Sequence, residues 1–133
     1  MSELRLVLRV DDLERLTAVL TEELGLPVTA SFGTGGARAV LLEAGRATIE
    51  IGNAAHTDDI DDLEVGHATG AQVRLAVEVD ATDELAAALG RRGLDVVGAP
   101  ATMPWGSRNA RVALTDDLQL TLFEQVEDEE RFV

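Results

Sequence analysis

The sequence predicts an α+β fold of two tandem βαβββ modules, their strands curled into mixed sheets with helices on the convex side. Three observations carry this expectation. Residues 4–10 and 73–79 alternate with a period of two; an acidic cap and an apolar three- and four-residue spacing follow each run; and the second half repeats the first in register.

In the first strand Leu4, Leu6, Leu8 and Val10 share one face, and Arg5, Val7 and Arg9 the other. Asp11 and Asp12 offer a helix cap. Leu13, Leu16, Leu20 and Leu24 then mark a helix over 12–24 that Gly25 and Pro27 end. A strand is expected over 28–32, a turn at Gly33-Thr34-Gly35-Gly36, and a hairpin of strands 37–43 and 46–52 about Ala44-Gly45. Residues 53–70 hold His56, His67 and the acids Asp58, Asp59, Asp61, Asp62 and Glu64 without a sustained period, and read as a solvated linker. The pattern then restarts, with Asp80 as the repeated cap, a helix ending at Gly93, and strands over 95–98, 107–114 and 118–124. Leu8, Val10, Asp11, Leu16 and Leu20 recur as Val77, Val79, Asp80, Leu85 and Leu89, each 69 positions on. After a one-residue slip at the helix end, Leu26 and Val28 fall on Leu94 and Val96, and Ile49-Glu50-Ile51 falls on Leu120-Thr121-Leu122. One domain over 1–133 is expected: module one about 3–53, linker about 54–71, module two about 72–126, and an acidic tail at 127–133 ending near Phe132.

Composition narrows the function classes. Twenty-five acidic against eleven basic residues give a net charge of −14, which repels phosphate backbones and anionic lipid, so neither nucleic acid nor membrane is an expected partner. A hydrophobic content of 46% is enough to build a core. There is no cysteine, hence no thiolate ligand or nucleophile; every basic residue is arginine, hence no lysine chemistry. No segment has the length of a membrane span or the form of a signal peptide, and a cytoplasmic location is expected.

The strand-plus-cap Leu8-Arg9-Val10-Asp11-Asp12-Leu13-Glu14-Arg15, the helix exit Glu23-Leu24-Gly25-Leu26-Pro27, and Pro104-Trp105-Gly106-Ser107-Arg108 resemble the vicinal oxygen chelate superfamily. That group contains glyoxalases, extradiol dioxygenases and bleomycin-resistance binding proteins, and the resemblance covers nearly the whole chain. It implies two half-barrel modules with ligands on the concave face, and a homodimer. Metal-dependent members place one ligand on the first and one on the last strand of each module, positions that here hold Arg5, Glu50, Arg74 and Thr121. Only Glu50 can ligate, because a guanidinium offers no free lone pair. No metal or other cofactor is therefore expected.

Strand parity places Arg5, Val7, Arg9, Arg38, Val40, Leu42, Thr48, Glu50, Arg74, Ala76, Glu78, Asn109, Arg111, Ala113, Gln119, Thr121 and Phe123 on the concave side. From these, with Phe32 at the end of its strand and the loop residues Met103 and Trp105, the expected ligand contacts are Arg5, Arg9, Phe32, Arg38, Val40, Glu50, Arg74, Met103, Trp105, Asn109, Arg111 and Phe123. Trp105 either stands at the cleft rim and stacks on a flat ligand, as the resemblance implies, or folds over its own loop. The arginines either meet a ligand or form internal pairs, Arg5 and Arg74 with Glu50 and Arg9 with Glu78. His56 and His67 are expected in solvent. The first functional expectation is a binding protein without catalysis that sequesters a flat aromatic or polycyclic natural product of the antibiotic type. The alternative is a metal-independent enzyme with Glu50 as acid or base and Arg5 and Arg74 stabilising an oxyanion.

Overall fold

The computed structural model describes residues 3–126, so the acidic tail and Phe132 lie outside the described residues. The first module runs β1 (Leu4–Arg9), α1 (Leu13–Ala18), β2 (Val28–Phe32), β3 (Ala39–Ala44) and β4 (Ala47–Gly52). α2 (Ala54–Val65) follows, then β5 (Val73–Glu78), α3 (Thr82–Arg91), β6 (Asp95–Thr102), β7 (Ser107–Ala113) and β8 (Gln119–Gln125). The eight strands of the described residues form one sheet in the order β2-β3-β4-β1-β5-β8-β7-β6. The sheet is curled and unclosed, and the two modules join where β1 and β5 pair antiparallel, Leu6 opposite Leu75. Within each module the first and last strands run parallel, with Leu6 opposite Ile49 and Leu75 opposite Leu120. The strand order of one half is thus the other half's order reversed, as the repeat requires.

One face of the sheet is aliphatic. Leu8, Val40, Leu42, Ile49 and Ile51 pack with Leu13, Leu16 and Leu20 of the first helix, and Leu75, Val77, Ala110, Leu120 and Leu122 pack with Ala86 and Leu89 of α3. Removing such side chains from water, Leu42 and Ile51 completely, contributes about 1.5–3 kcal/mol each. The opposite, inner face carries Arg5, Val7, Glu50, Arg74, Arg111, Thr121 and Phe123, and its apolar floor is the cluster of Val7, Ala76 and Phe123.

The one-residue slip in the repeat has a structural counterpart. The first helix changes at Val19–Glu23 from α to π geometry, with the Leu24 amide donating to the Val19 carbonyl five residues back. A π turn accommodates one more residue than an α turn, so the added residue is absorbed and the chain still leaves through a left-handed glycine. Gly25 (φ 70°) and Gly93 (φ 92°) are that glycine in the two modules. The caps differ: Asp12 accepts from the Arg15 amide, whereas Asp80 does not repeat the role, and the Thr82 amide donates to the Glu124 carboxylate of β8.

The expected linker is largely helix. Asn53 caps α2 by accepting from the His56 amide, and Gly66 (φ 94°) ends it. α2 lies across the inner face, opposite α1 and α3. It buries His56, Thr57, Asp61 and Glu64, so a helix that reads as polar turns its polar stripe inward. Asp61 and Glu64 are thus not members of a solvated run, and His56 is not in solvent. His67 is exposed, as expected. Among the described residues no helix is long and apolar enough to cross a membrane.

Candidate functional site

The repeat brings two arginines side by side at the join between the modules. On the β1 side, Arg5 Nη1 donates to Glu50 Oε1 at 2.9 Å and Arg5 Nε to Glu3 Oε2 at 3.0 Å, while the Thr48 hydroxyl also donates to Glu3. The guanidinium lies over the Phe123 ring, 5.7 Å from its centroid. Burial weakens Arg5's hold on its proton, but the two carboxylates outweigh it and push its pKa up. Burial likewise opposes ionisation of Glu3, and the bonds from Arg5 and Thr48 overcome it, lowering its pKa. The second oxygen of Glu50 makes no hydrogen bond among the described residues and keeps contact with solvent.

On the β5 side the equivalent pair is Arg74 and Thr121. Arg74 Nη1 donates to the Thr121 hydroxyl at 2.8 Å, and that hydroxyl donates to Glu64 Oε1 at 3.1 Å. No carboxylate of the described residues comes within ion-pair distance of Arg74, whose pKa burial lowers, although Glu64, Glu50 and Asp61 act against it. It stays charged, as arginine does in proteins.

α2 supplies the remaining carboxylates. Asp58 pairs with Arg9 at 2.7 Å; Asp61 and Glu64 both grip Arg111, which is fully buried. Arg111 Nη2 lies 2.8 Å from Glu64 Oε1 at an angle that makes no hydrogen bond. Burial raises the Asp61 pKa, but the hydrogen bonds from Thr69 and Arg111 more than reverse this and hold it below the ordinary value. Glu64 Oε2 accepts from Asn109, whose Oδ1 accepts from the Ser107 hydroxyl, which in turn accepts from Trp105 Nε1 at 2.6 Å. His56 sits at the start of α2 over Gly52, where a side chain on residue 52 would reach its ring at 3.4 Å. Burial lowers the His56 pKa, with Arg74 acting in the same direction and the carboxylates of Glu50 and Asp59 against it.

The structure thus places Arg5, Arg9, Glu50, Arg74, Asn109, Arg111 and Phe123 on the inner face. Met103 is buried in the turn after β6, and Trp105 is half-buried with its indole N–H committed to Ser107. Phe32 is exposed at the end of the edge strand β2, across the sheet order from Trp105. Val40 does not line this face. It pairs with Ile51 and packs under the first helix, as Leu42 does; the inner residues of β3 are Ala39, Leu41 and Glu43. Arg38 precedes the strand and is exposed. The parity misled because residues 39–42 are apolar on both faces, as in a strand covered on both sides. The pairings also differ from expectation: Arg74 meets Thr121 instead of Glu50, and Arg9 meets Asp58 instead of Glu78.

The four positions that hold the ion in metal-dependent members do not fit a divalent cation here. Two are guanidinium groups, Thr121 is a neutral hydroxyl already bonded to both Arg74 and Glu64, and Glu50 is paired with Arg5. Among the described residues no three His, Asp or Glu side chains are grouped to hold a metal. Two hollows of about 420 Å³ and 370 Å³ lie elsewhere, at the start of α3 around Asp80, Ala81 and Glu84.

Comparison with known proteins matches residues 4–128 to the family described as the glyoxalase/bleomycin resistance protein/dioxygenase superfamily. No curated protein matches the chain. Among solved structures, a hypothetical protein from Bacillus halodurans aligns with a TM-score of 0.70 at 14% identity, covering 93% of this chain and 94% of that one. Methylmalonyl-CoA epimerase from Mycobacterium tuberculosis aligns at 0.66 and 18% identity, covering 92% and 87%. A Streptomyces coelicolor methylmalonyl-CoA epimerase variant in complex with 2-nitronate-propionyl-CoA aligns at 0.67 and 18%, covering 93% and 95%. At these identities the likeness shows the fold. It also corrects the expectation that the chain is no enzyme, since the neighbours include an enzyme built on the same frame. The chain belongs to the glyoxalase/bleomycin resistance protein/dioxygenase superfamily.

Proposed function

We propose that the chain is an enzyme that moves a proton at a carbon adjacent to a carbonyl or carboxylate group. Glu50 is its acid–base group, Arg5 and Arg74 supply positive charge to the substrate's oxygens, and no metal takes part. The observation that carries this reading is Glu50 itself. It is buried on the inner face, one oxygen is fixed by Arg5, and the other is left free to accept a proton. Proton removal sends the C–H electron pair toward the carbonyl oxygen, and fixed guanidinium groups in a partly desolvated site stabilise that charge without reorganising. The stacking of a flat polycyclic ligand on Trp105 has less support, because the indole N–H is already tied into the chain of bonds that ends at Glu64.

The test is deuterium wash-in from D₂O, followed by proton NMR, with methylmalonyl-CoA and a panel of short 2-substituted carboxylates. The wild type is expected to exchange at least one of them, and Glu50→Gln to slow that exchange by about 10²–10⁴. Exchange by Glu50→Gln at the wild-type rate, or none by the wild type with any member, would overturn the reading.

A further inference from the structure

We infer that the free edge of Arg74 is a seat for a planar carboxylate, and hence that the substrate of the inner-face site is a small carboxylic acid carrying a single charge at that end. The inference deepens the acid–base reading and rests on it for the word substrate; the seat itself rests on geometry. Arg74 and Arg5 occupy the same position of the duplicated module, and so do Thr121 and Glu50. Where Arg5 meets two carboxylates, Arg74 meets a hydroxyl through Nη1 alone. Its Nε and Nη2 make no hydrogen bond among the described residues, yet neither is sealed from solvent. An Nε–Nη2 edge is the side of a guanidinium that takes both oxygens of a carboxylate in two parallel bonds.

The surrounding charges select the class of anion. Glu64, Glu50 and Asp61 all act on Arg74 at longer range, and Arg111, a cation that also acts on it, is already gripped by Asp61 and Glu64. The inner face already sets Glu3, Glu50, Asp61 and Glu64 against Arg5, Arg74 and Arg111, so the second charge of a phosphate at neutral pH adds repulsion that the single charge of a carboxylate does not. Planarity and single charge together favour a carboxylate. With the carboxylate held by Arg74, the neighbouring Arg5–Glu50 pair is left to handle the proton and the charge that develops.

His56 provides a readout independent of turnover. The charges facing it are Glu50 from β4, Asp59 from its own helix and Arg74 from β5, and Arg74 disfavours its protonated form. An anion on Arg74 cancels that influence, so the His56 pKa rises when the seat is filled. The experiment titrates the protein with sodium propionate, inorganic phosphate at pH 7.5 and sodium chloride at matched ionic strength, by calorimetry and by NMR of His56. Saturable one-to-one binding of propionate with a rise in the His56 pKa is expected, with phosphate and chloride at least about tenfold weaker. Arg74→Met loses both effects; Arg74→Lys, which keeps the charge and removes the fork, weakens binding about tenfold and covers the case in which Arg74→Met does not fold. No saturable propionate binding, equal binding of phosphate, or undiminished binding by Arg74→Lys overturns the seat. Wash-in without propionate binding sinks the seat and leaves the acid–base reading standing, whereas propionate binding with no exchangeable compound does the reverse.

Discussion

In the first half of the inner face, Arg5 reaches across to Glu50 and is held again by Glu3; in the second, the same strand positions carry Arg74 and Thr121, and the arginine finds a hydroxyl. The second half is not short of carboxylates, but they come from α2 and are aimed at Arg111, two strands away in the sheet order. One repeated frame has thus produced a matched arginine and an unmatched one side by side. The difference lies in two exchanges, Glu50 for Thr121 and Glu3 for Gln72, at equivalent positions of the duplicated module. A duplicated fold can in this way retain its architecture twice while keeping only one copy of an ion pair.

The comparison can be broken most severely at Arg111. Arg111→Met leaves Asp61 and Glu64 buried without their cation, and urea unfolding should show a loss of about 3–5 kcal/mol, the cost of removing one partner of a buried pair. Gly98→Ala should cost about 1–3 kcal/mol by the same measurement, because an added methyl would run into the Glu64 carbonyl and push α2 off β6. Acid should act through the second half as well. Asp61 is held below its ordinary value of 3.8, so its contribution to stability is complete above that pH and is lost as the pH falls through the lower, folded value. Asp61→Asn should flatten the acid limb of a stability–pH curve. Smaller effects are expected in the first half. Glu50→Thr gives the first half the second half's residue, yet Glu3 still holds Arg5, so propionate stoichiometry should remain one. The double variant Glu3→Ala, Glu50→Thr frees Arg5 and should raise it to two. Arg108→Ala removes an exposed pair with Asp83 and should leave the melting temperature unchanged within error.

Much of the fold was legible because both sequence periods are strong. The alternation of residues 4–10 and 73–79 and their recurrence 69 positions apart specify strands, faces and duplication together. Even the one-residue slip was visible as arithmetic, although the π turn that absorbs it was not. β3 was legible as a strand but not as a face, because Ala39, Val40, Leu41 and Leu42 offer no alternation. The extension of β6 to Thr102 was hidden by Gly98 and Pro100, which read as breakers while the strand passes them at bulges. α2 was missed for a physical reason: its inward stripe of Thr57, Asp61 and Glu64 repeats at helical spacing but is polar, and periodicity is usually sought in apolar residues. Asn53 and Gly66 as cap and stop, together with that polar spacing, were the available signal. Of the site, Arg5, Glu50, Arg74 and Thr121 follow from parity and resemblance, whereas the carboxylates that hold Arg9 and Arg111 come from a helix that parity cannot place.

Whether the duplicated arginines differ in having or lacking a carboxylate partner is read out by nitrogen-15 NMR of the arginine Nε–H groups during a propionate titration. The Arg74 signal should move and saturate while the Arg5 signal stays in place. Movement of Arg5 instead, equal movement of both, or movement of neither would show that the two arginines do not differ in this way.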